Sequence, residues 1–107
     1  MGVQLDKPWR PCVDLESLPG HMGVYELGNE AGEVIFVGYA GGRSRFGLRG
    51  EIEAATARFG DAAGFRYEVT TAYLTRYQEL LMAHQALSGA LPAGNGAVSG
   101  LGRLSPG

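Results

Sequence analysis

Hydrophobic and polar positions divide the chain into five segments with distinct periods. Met22 to Leu27 is rich in apolar residues and leads into Gly28-Asn29-Glu30-Ala31-Gly32, whose glycines suit a five-residue hairpin loop, so a first strand and its return are expected here. The second strand is Glu33 to Tyr39. Its run Val34-Ile35-Phe36-Val37 lacks polar alternation, which fits either a central strand covered on both faces or a strand whose second face is closed by helices. Leu48, Ile52, Ala55 and Phe59 recur at spacings of four and three, predicting a helix from about Phe46 to Phe59 with Gly60 as its stop. Phe65, Tyr67 and Val69 alternate with Arg66, Glu68 and Thr70, the pattern of a third strand with one buried face. From Ala72 to Leu87, the residues Tyr73, Leu74, Tyr77, Leu80, Leu81 and Leu87 fall within about 140° of the helical wheel, predicting a second helix.

The flanks read differently. Pro8, Pro11 and Pro19, with Trp9 among them, exclude a long helix or central strand at the N-terminus, so residues 1–21 are expected to form an ordered arm with one helical turn around Asp14 to Ser17. Beyond Ser88 the chain turns to Gly, Ala, Ser and Pro with isolated Leu91, Val98, Leu101 and Leu104, too sparse for another amphipathic element. The expected organisation is an arm (1–21), a domain (22–95) of order β-β-α-β-α in the α+β class, and a mobile Gly/Ser-rich tail (96–107).

Composition narrows the function classes. A chain of 107 residues with 45% hydrophobic and 19% charged residues is that of one globular domain. No secretory leader or membrane span is visible in it, so a cytoplasmic protein with no membrane partner is expected. Cys12 is the single cysteine, which leaves neither an internal disulfide nor a cysteine-rich zinc site. The net charge of -2 gives no global attraction to phosphate, so nucleic-acid binding would need a local patch. One such patch stands between Phe36 and Gly50, where the only charged residues are Arg43, Arg45 and Arg49.

The tripeptides Gly23-Val24-Tyr25 and Phe36-Val37-Gly38 lie on the first two strands, Arg49 heads the first helix, Glu79 lies on the second and Asn95 follows it. Together these marks resemble the GIY-YIG nuclease superfamily, over roughly residues 22 to 95 and as a divergent single-domain member. The resemblance implies a small three-stranded antiparallel sheet with flanking helices, and a domain that hydrolyses DNA phosphodiester bonds. It implies Tyr25 and Arg49 as catalytic residues, Tyr25 positioning or deprotonating the attacking water and Arg49 bracing the phosphate. Glu79 would hold a divalent metal, Mg²⁺ or Mn²⁺, Arg43 and Arg45 would contact nucleic acid, and Asn95 would be structural. The phenol usual at the start of the second tripeptide is absent at Phe36, and Tyr39, three residues on, is the candidate replacement. The His or Tyr that many members carry a turn after the arginine is also absent.

Plainer readings stand beside each assignment. On the wheel Glu79 points away from the apolar stripe, as a solvated glutamate would. Tyr25 shares a strand face with Leu27 and suits packing, and Arg49 is four residues from Glu53, the spacing of an ordinary helical ion pair. His84 lies in the apolar stripe and reads as a core or boundary residue, while His21 reads as a loop residue. The leading expectation is a metal-dependent DNA endonuclease, possible as a homodimer because one domain holds one site. The alternatives are a degenerate member that binds nucleic acid or a protein partner, and a structural interaction domain.

Overall fold

A computed structural model describes residues 5, 7–12, 18, 20–42, 44 and 46–96. The order is β1 (Arg10–Pro11), β2 (Gly23–Gly28), β3 (Val34–Ala40), α1 (Gly47–Arg58), β4 (Gly64–Val69), α2 (Tyr73–Ser88) and α3 (Ala93–Gly96). The fold is α+β, and its sheet is antiparallel in the order β1-β4-β2-β3. The five expected elements stand within a residue or two of their predicted ends. Two were not foreseen: β1, which adds a fourth strand to the expected three, and the short α3. The arm belongs to the sheet, because Arg10 pairs with Phe65 and Pro11 with Gly64, and an edge is where a strand tolerates proline. The expected helical turn near Asp14 and the tail from residue 97 lie outside the described residues.

Register explains the hydrophobic patterns. Tyr25 pairs with Gly38 on β3 and with Tyr67 on β4, and Leu27 pairs with Phe36 and Phe65, so these side chains share one face. That face packs on Leu48, Ile52 and Ala55 of α1, the predicted stripe. Burying each Leu or Ile of that stripe contributes about 1.5–3 kcal/mol. The opposite face presents Val24 and Val37 to Leu80 and Leu81 of α2 and to Leu5 of the arm.

β3 is an edge strand rather than a central one, and β2 is central. The apolar run of β3 is buried because helices close both faces. Between Leu27/Gly28 and their partners the register shifts by one residue, leaving Ile35 as a bulge, so Ile35 and Phe36 both enter the α1-side core. Gly60 does not cap α1. The helix ends at Arg58 with Phe59 extended (φ -109°, ψ 97°), and Gly60 has no positive φ. The stripe on α2 is narrower than predicted. Leu74 and Leu87 are exposed at the two ends of the helix, while Leu80, Leu81 and Ala83 are buried. Among the described residues no helix is long and apolar enough to cross a membrane.

Candidate cleft at the edge of β3

A cleft of about 520 Å³ wraps the outer edge of β3. Its floor is Phe36 to Tyr39, one wall is Glu51 and Arg58 of α1, and the other is Tyr73, Leu74 and Tyr77 of α2. Glu51 and Arg58 are seven apart, two turns of helix, so they share one side of α1. The loop residues Gly41, Gly42 and Ser44 also line it. Ser44 Oγ accepts the Gly41 N–H (3.0 Å) and donates to Glu51 Oε2 (3.0 Å), so the loop and the carboxylate hold each other in place.

Tyr25 enters the cleft from β2 because its cross-strand neighbour is Gly38. Any Cβ on Gly38 would collide with the Tyr25 ring and hydroxyl, so the glycine is what lets the ring lie across β3. Burial pushes the Tyr25 phenol well above the ordinary tyrosine range; the Glu51 carboxylate adds to this and Arg58 opposes it. A phenol held protonated is a hydrogen-bond donor, which favours positioning over proton abstraction at neutral pH.

Phe36, at the position of the absent phenol, packs in the core against Tyr25 (centroids 6.0 Å apart) and Phe59 (4.8 Å). Tyr39 lies an odd number of residues from Phe36 and so occupies the opposite face of the sheet. It reaches the cleft around the strand edge, against Tyr73 and Tyr77, and does not fill the place of a phenol at Phe36.

Arg49 and Glu79, both named from the sequence, fall elsewhere. Arg49 is exposed and does not line the cleft, nor does it pair with Glu53. The cleft's described guanidinium is that of Arg58, which lies over the rings of Phe59 (4.8 Å) and Phe36 (5.5 Å). Glu79 lies outside the cleft, its side chain 45% exposed and 3.3 Å from Arg76 Nη1, while Arg76 Nε also reaches Glu68 Oε1 at 3.2 Å. Arg43 and Arg45 lie outside the described residues. Asn95 is 1% exposed and makes two hydrogen bonds to Val37 on β3. His84 is half-buried, its Nδ1 donating to the Ala90 carbonyl oxygen (3.0 Å).

The donor set tests the metal implied by the resemblance. A hard cation that keeps several waters can sit on one or two carboxylates, but Glu79 does not face the cleft, and Glu51 is the one carboxylate among the described lining residues. A metal on Glu79 therefore does not fit a site that includes Tyr25. Among the described residues there is also no group of three or more His, Cys, Asp or Glu placed to hold an ion. Sequence reasoning passed over Glu51, Arg58, Tyr73 and Tyr77. The available signal was spacing, since 51 and 58 share one side of α1 and 73 and 77 one side of α2.

Residues 3–87 match a family described as a domain of unknown function (DUF7508). No curated protein matches the chain.

Proposed function

We propose, for a chain that belongs to the DUF7508 family, that the cleft is a nucleic-acid site of the GIY-YIG kind whose hydrolytic set is degenerate. The observation that carries this reading is the separation of the candidate site groups: Tyr25 and Arg58 line one cleft, while Glu79 is held by Arg76 outside it. Arg58 supplies a planar fork suited to a phosphodiester, and the protonated Tyr25 phenol supplies a second donor. Glu51 opposes a phosphate in the same cleft, so affinity is modest and salt-sensitive. DNA is the proposed partner.

Fluorescence anisotropy with labelled DNA at low salt tests the binding. Binding is expected, with Arg58→Ala weakening it and reducing the log-log salt slope by about one. Absence of binding to both single strands and duplex at low salt would sink the reading. A plasmid-nicking assay with Mg²⁺ or Mn²⁺ is expected to show no cleavage above background.

A second reading, an active endonuclease, is favoured by one observation: Glu51 lines the same cleft as Tyr25 and Arg58. In it Glu51 accepts the proton of the attacking water as its oxygen bonds to phosphorus, Arg58 balances the charge developing on phosphate, and the P–O ester bond breaks with its leaving oxygen protonated from solvent. Nicking that is lost in Glu51→Gln and retained in Glu79→Ala would select it.

A further inference from the structure

We infer that Tyr39, Tyr73 and Tyr77 form a stacking platform for an unpaired nucleobase, which makes single strands the preferred ligand of the cleft. This rests on the reading of the cleft as a nucleic-acid site and names the form of nucleic acid it takes.

Four of the chain's five tyrosines line this cleft. Tyr73 and Tyr77 of α2 pack partly on the core around Leu80 and Leu81, and with Tyr39 of β3 they also line the cleft. Tyr39 and Tyr73 are nearly parallel, 18° apart with centroids separated by 5.6 Å. Tyr77 meets Tyr39 edge-on, at 66° and 4.9 Å. Tyr39 keeps 39% of its surface exposed.

The platform is held before any ligand arrives. The Tyr73 hydroxyl accepts the Gly42 N–H (3.2 Å), and its ring packs where a Cβ on Gly41 would stand 2.8 Å from Cε1. A ring fixed at its hydroxyl and along its edge loses little freedom on binding.

Flat aromatic faces beside a cation are the elements of sequence-tolerant single-strand binding, where bases stack and the backbone follows positive charge. Arg58 provides that charge on the opposite wall. Glu51 offers an acceptor for an exocyclic amino group. A duplex cannot use the platform, because its bases are already stacked and paired. A cage for a methylated ammonium needs ring faces turned inward on one point, whereas Tyr39 and Tyr73 are stacked on one another and do not face a common point.

The test compares a short single-stranded oligonucleotide, an abasic strand of the same length and a duplex, each by anisotropy against the full chain. The normal strand is expected to bind roughly tenfold more tightly than the abasic one, the lower part of the range for one base on an aromatic platform. Tyr39→Leu should bring that ratio close to one, while Tyr39→Phe, which keeps the ring, should preserve it. Thermal unfolding of both variants checks that they fold. Equal affinity for normal and abasic strands overturns the platform while leaving the cleft reading intact, and no binding of any probe overturns both. Displacement of the oligonucleotide by tetramethylammonium at micromolar concentration would assign the tyrosines to a cation instead, and overturn the platform.

Discussion

Asn95 completes the open edge of β3 by pairing with Val37 as a neighbouring strand would. Val37 N–H donates to Asn95 Oδ1 at 2.7 Å, and Asn95 Nδ2 donates to the Val37 carbonyl oxygen at 2.9 Å. An edge strand carries unpaired backbone groups on alternate residues, and here a single amide side chain, delivered by α3, satisfies one such pair. Asn95→Ala would leave a buried donor and a buried acceptor unpaired, an expected loss of about 2–4 kcal/mol. Asn95→Asp distinguishes pairing from packing. Its ionised carboxylate can accept from the N–H but places an oxygen against the Val37 carbonyl, whereas the protonated acid again offers both a donor and an acceptor. Urea unfolding should therefore show Asn95→Asp far below wild type at about pH 7 and partly recovered at about pH 4, near the ordinary range of an aspartate. A deficit that does not shrink on acidification would contradict the pairing.

Tyr25 and Gly38 are the second coupled pair. Gly38→Ala places a methyl group against the Tyr25 ring and is expected to cost about 1–3 kcal/mol, the range for overpacking. Reducing the ring in a Tyr25→Leu background should remove most of that cost, so the double-mutant cycle should be non-additive. The same geometry has a titration consequence. With its folded value raised by burial, Tyr25 stays protonated where an exposed tyrosine ionises, near pH 10. The unfolded chain then loses its proton first, so stability falls as pH rises above the ordinary tyrosine value. Phenolate absorbance should show a late-titrating component that is missing in Tyr25→Phe.

The sequence made the element order legible because period is a local property. The stripe at Leu48, Ile52 and Ala55 and the alternation through Phe65, Tyr67 and Val69 each report on burial within a single element. What it did not carry was the side of the molecule each polar residue would face. Arg49 and Glu79 are on the helices the resemblance requires, but a helix turns 100° per residue, and the face is fixed by tertiary packing. Residues 51 and 58 on one helix and 73 and 77 on the other face β3, leaving 49 and 79 outside. The pairing of Arg10 with Phe65 spans more than fifty residues, and two-residue strands carry no period to read. Tyr39 illustrates the same limit. Proximity to Phe36 along the chain suggested replacement, but odd spacing on a strand puts the two on opposite faces.

Glu26 makes a pH prediction of the opposite sign from an ordinary salt-bridged carboxylate. It is 4% exposed on the central strand, and its Oε1 lies 2.7 Å from Arg66 Nε. Arg66 is fixed in turn by the Lys7 carbonyl (3.0 Å) and by the Trp9 ring beneath it (4.1 Å). Arg66 lowers the carboxyl's pKa through charge and hydrogen bonding, but burial outweighs it, and the folded value lies above the ordinary one. The native state then binds the proton more readily than the unfolded state, so this group's contribution rises as pH falls through its folded value and levels off below the unfolded value. Relative to wild type, Glu26→Gln should flatten the stability profile in that window. Arg66→Ala should cost about 3–5 kcal/mol at neutral pH, because it leaves the buried carboxylate without its partner.

Glu79 outside the cleft and Glu51 inside it provide the sharpest functional contrast. Arg76 joins Glu68 and Glu79 at a partly exposed site outside the cleft, where ion pairs are generally worth less than about 1 kcal/mol. Glu79→Ala should change stability by less than about 1 kcal/mol and leave DNA affinity within about twofold of wild type, as expected for a partly exposed charge outside the cleft. Across the cleft, Glu51→Gln removes a negative charge from a site that takes phosphate while keeping an acceptor for the Ser44 hydroxyl. It should therefore strengthen DNA binding at low salt, by several-fold on a Coulomb estimate of about 1 kcal/mol for two charges about 4 Å apart in bulk water. The gain should fade as salt screens the charge, over a Debye length of about 8–10 Å near physiological ionic strength. Anisotropy titrations of wild type, Glu79→Ala and Glu51→Gln at two salt concentrations give the comparison. If Glu79→Ala alters affinity and Glu51→Gln does not, the phosphate lies on the α2 surface around Arg76, and the cleft at β3 is not the site.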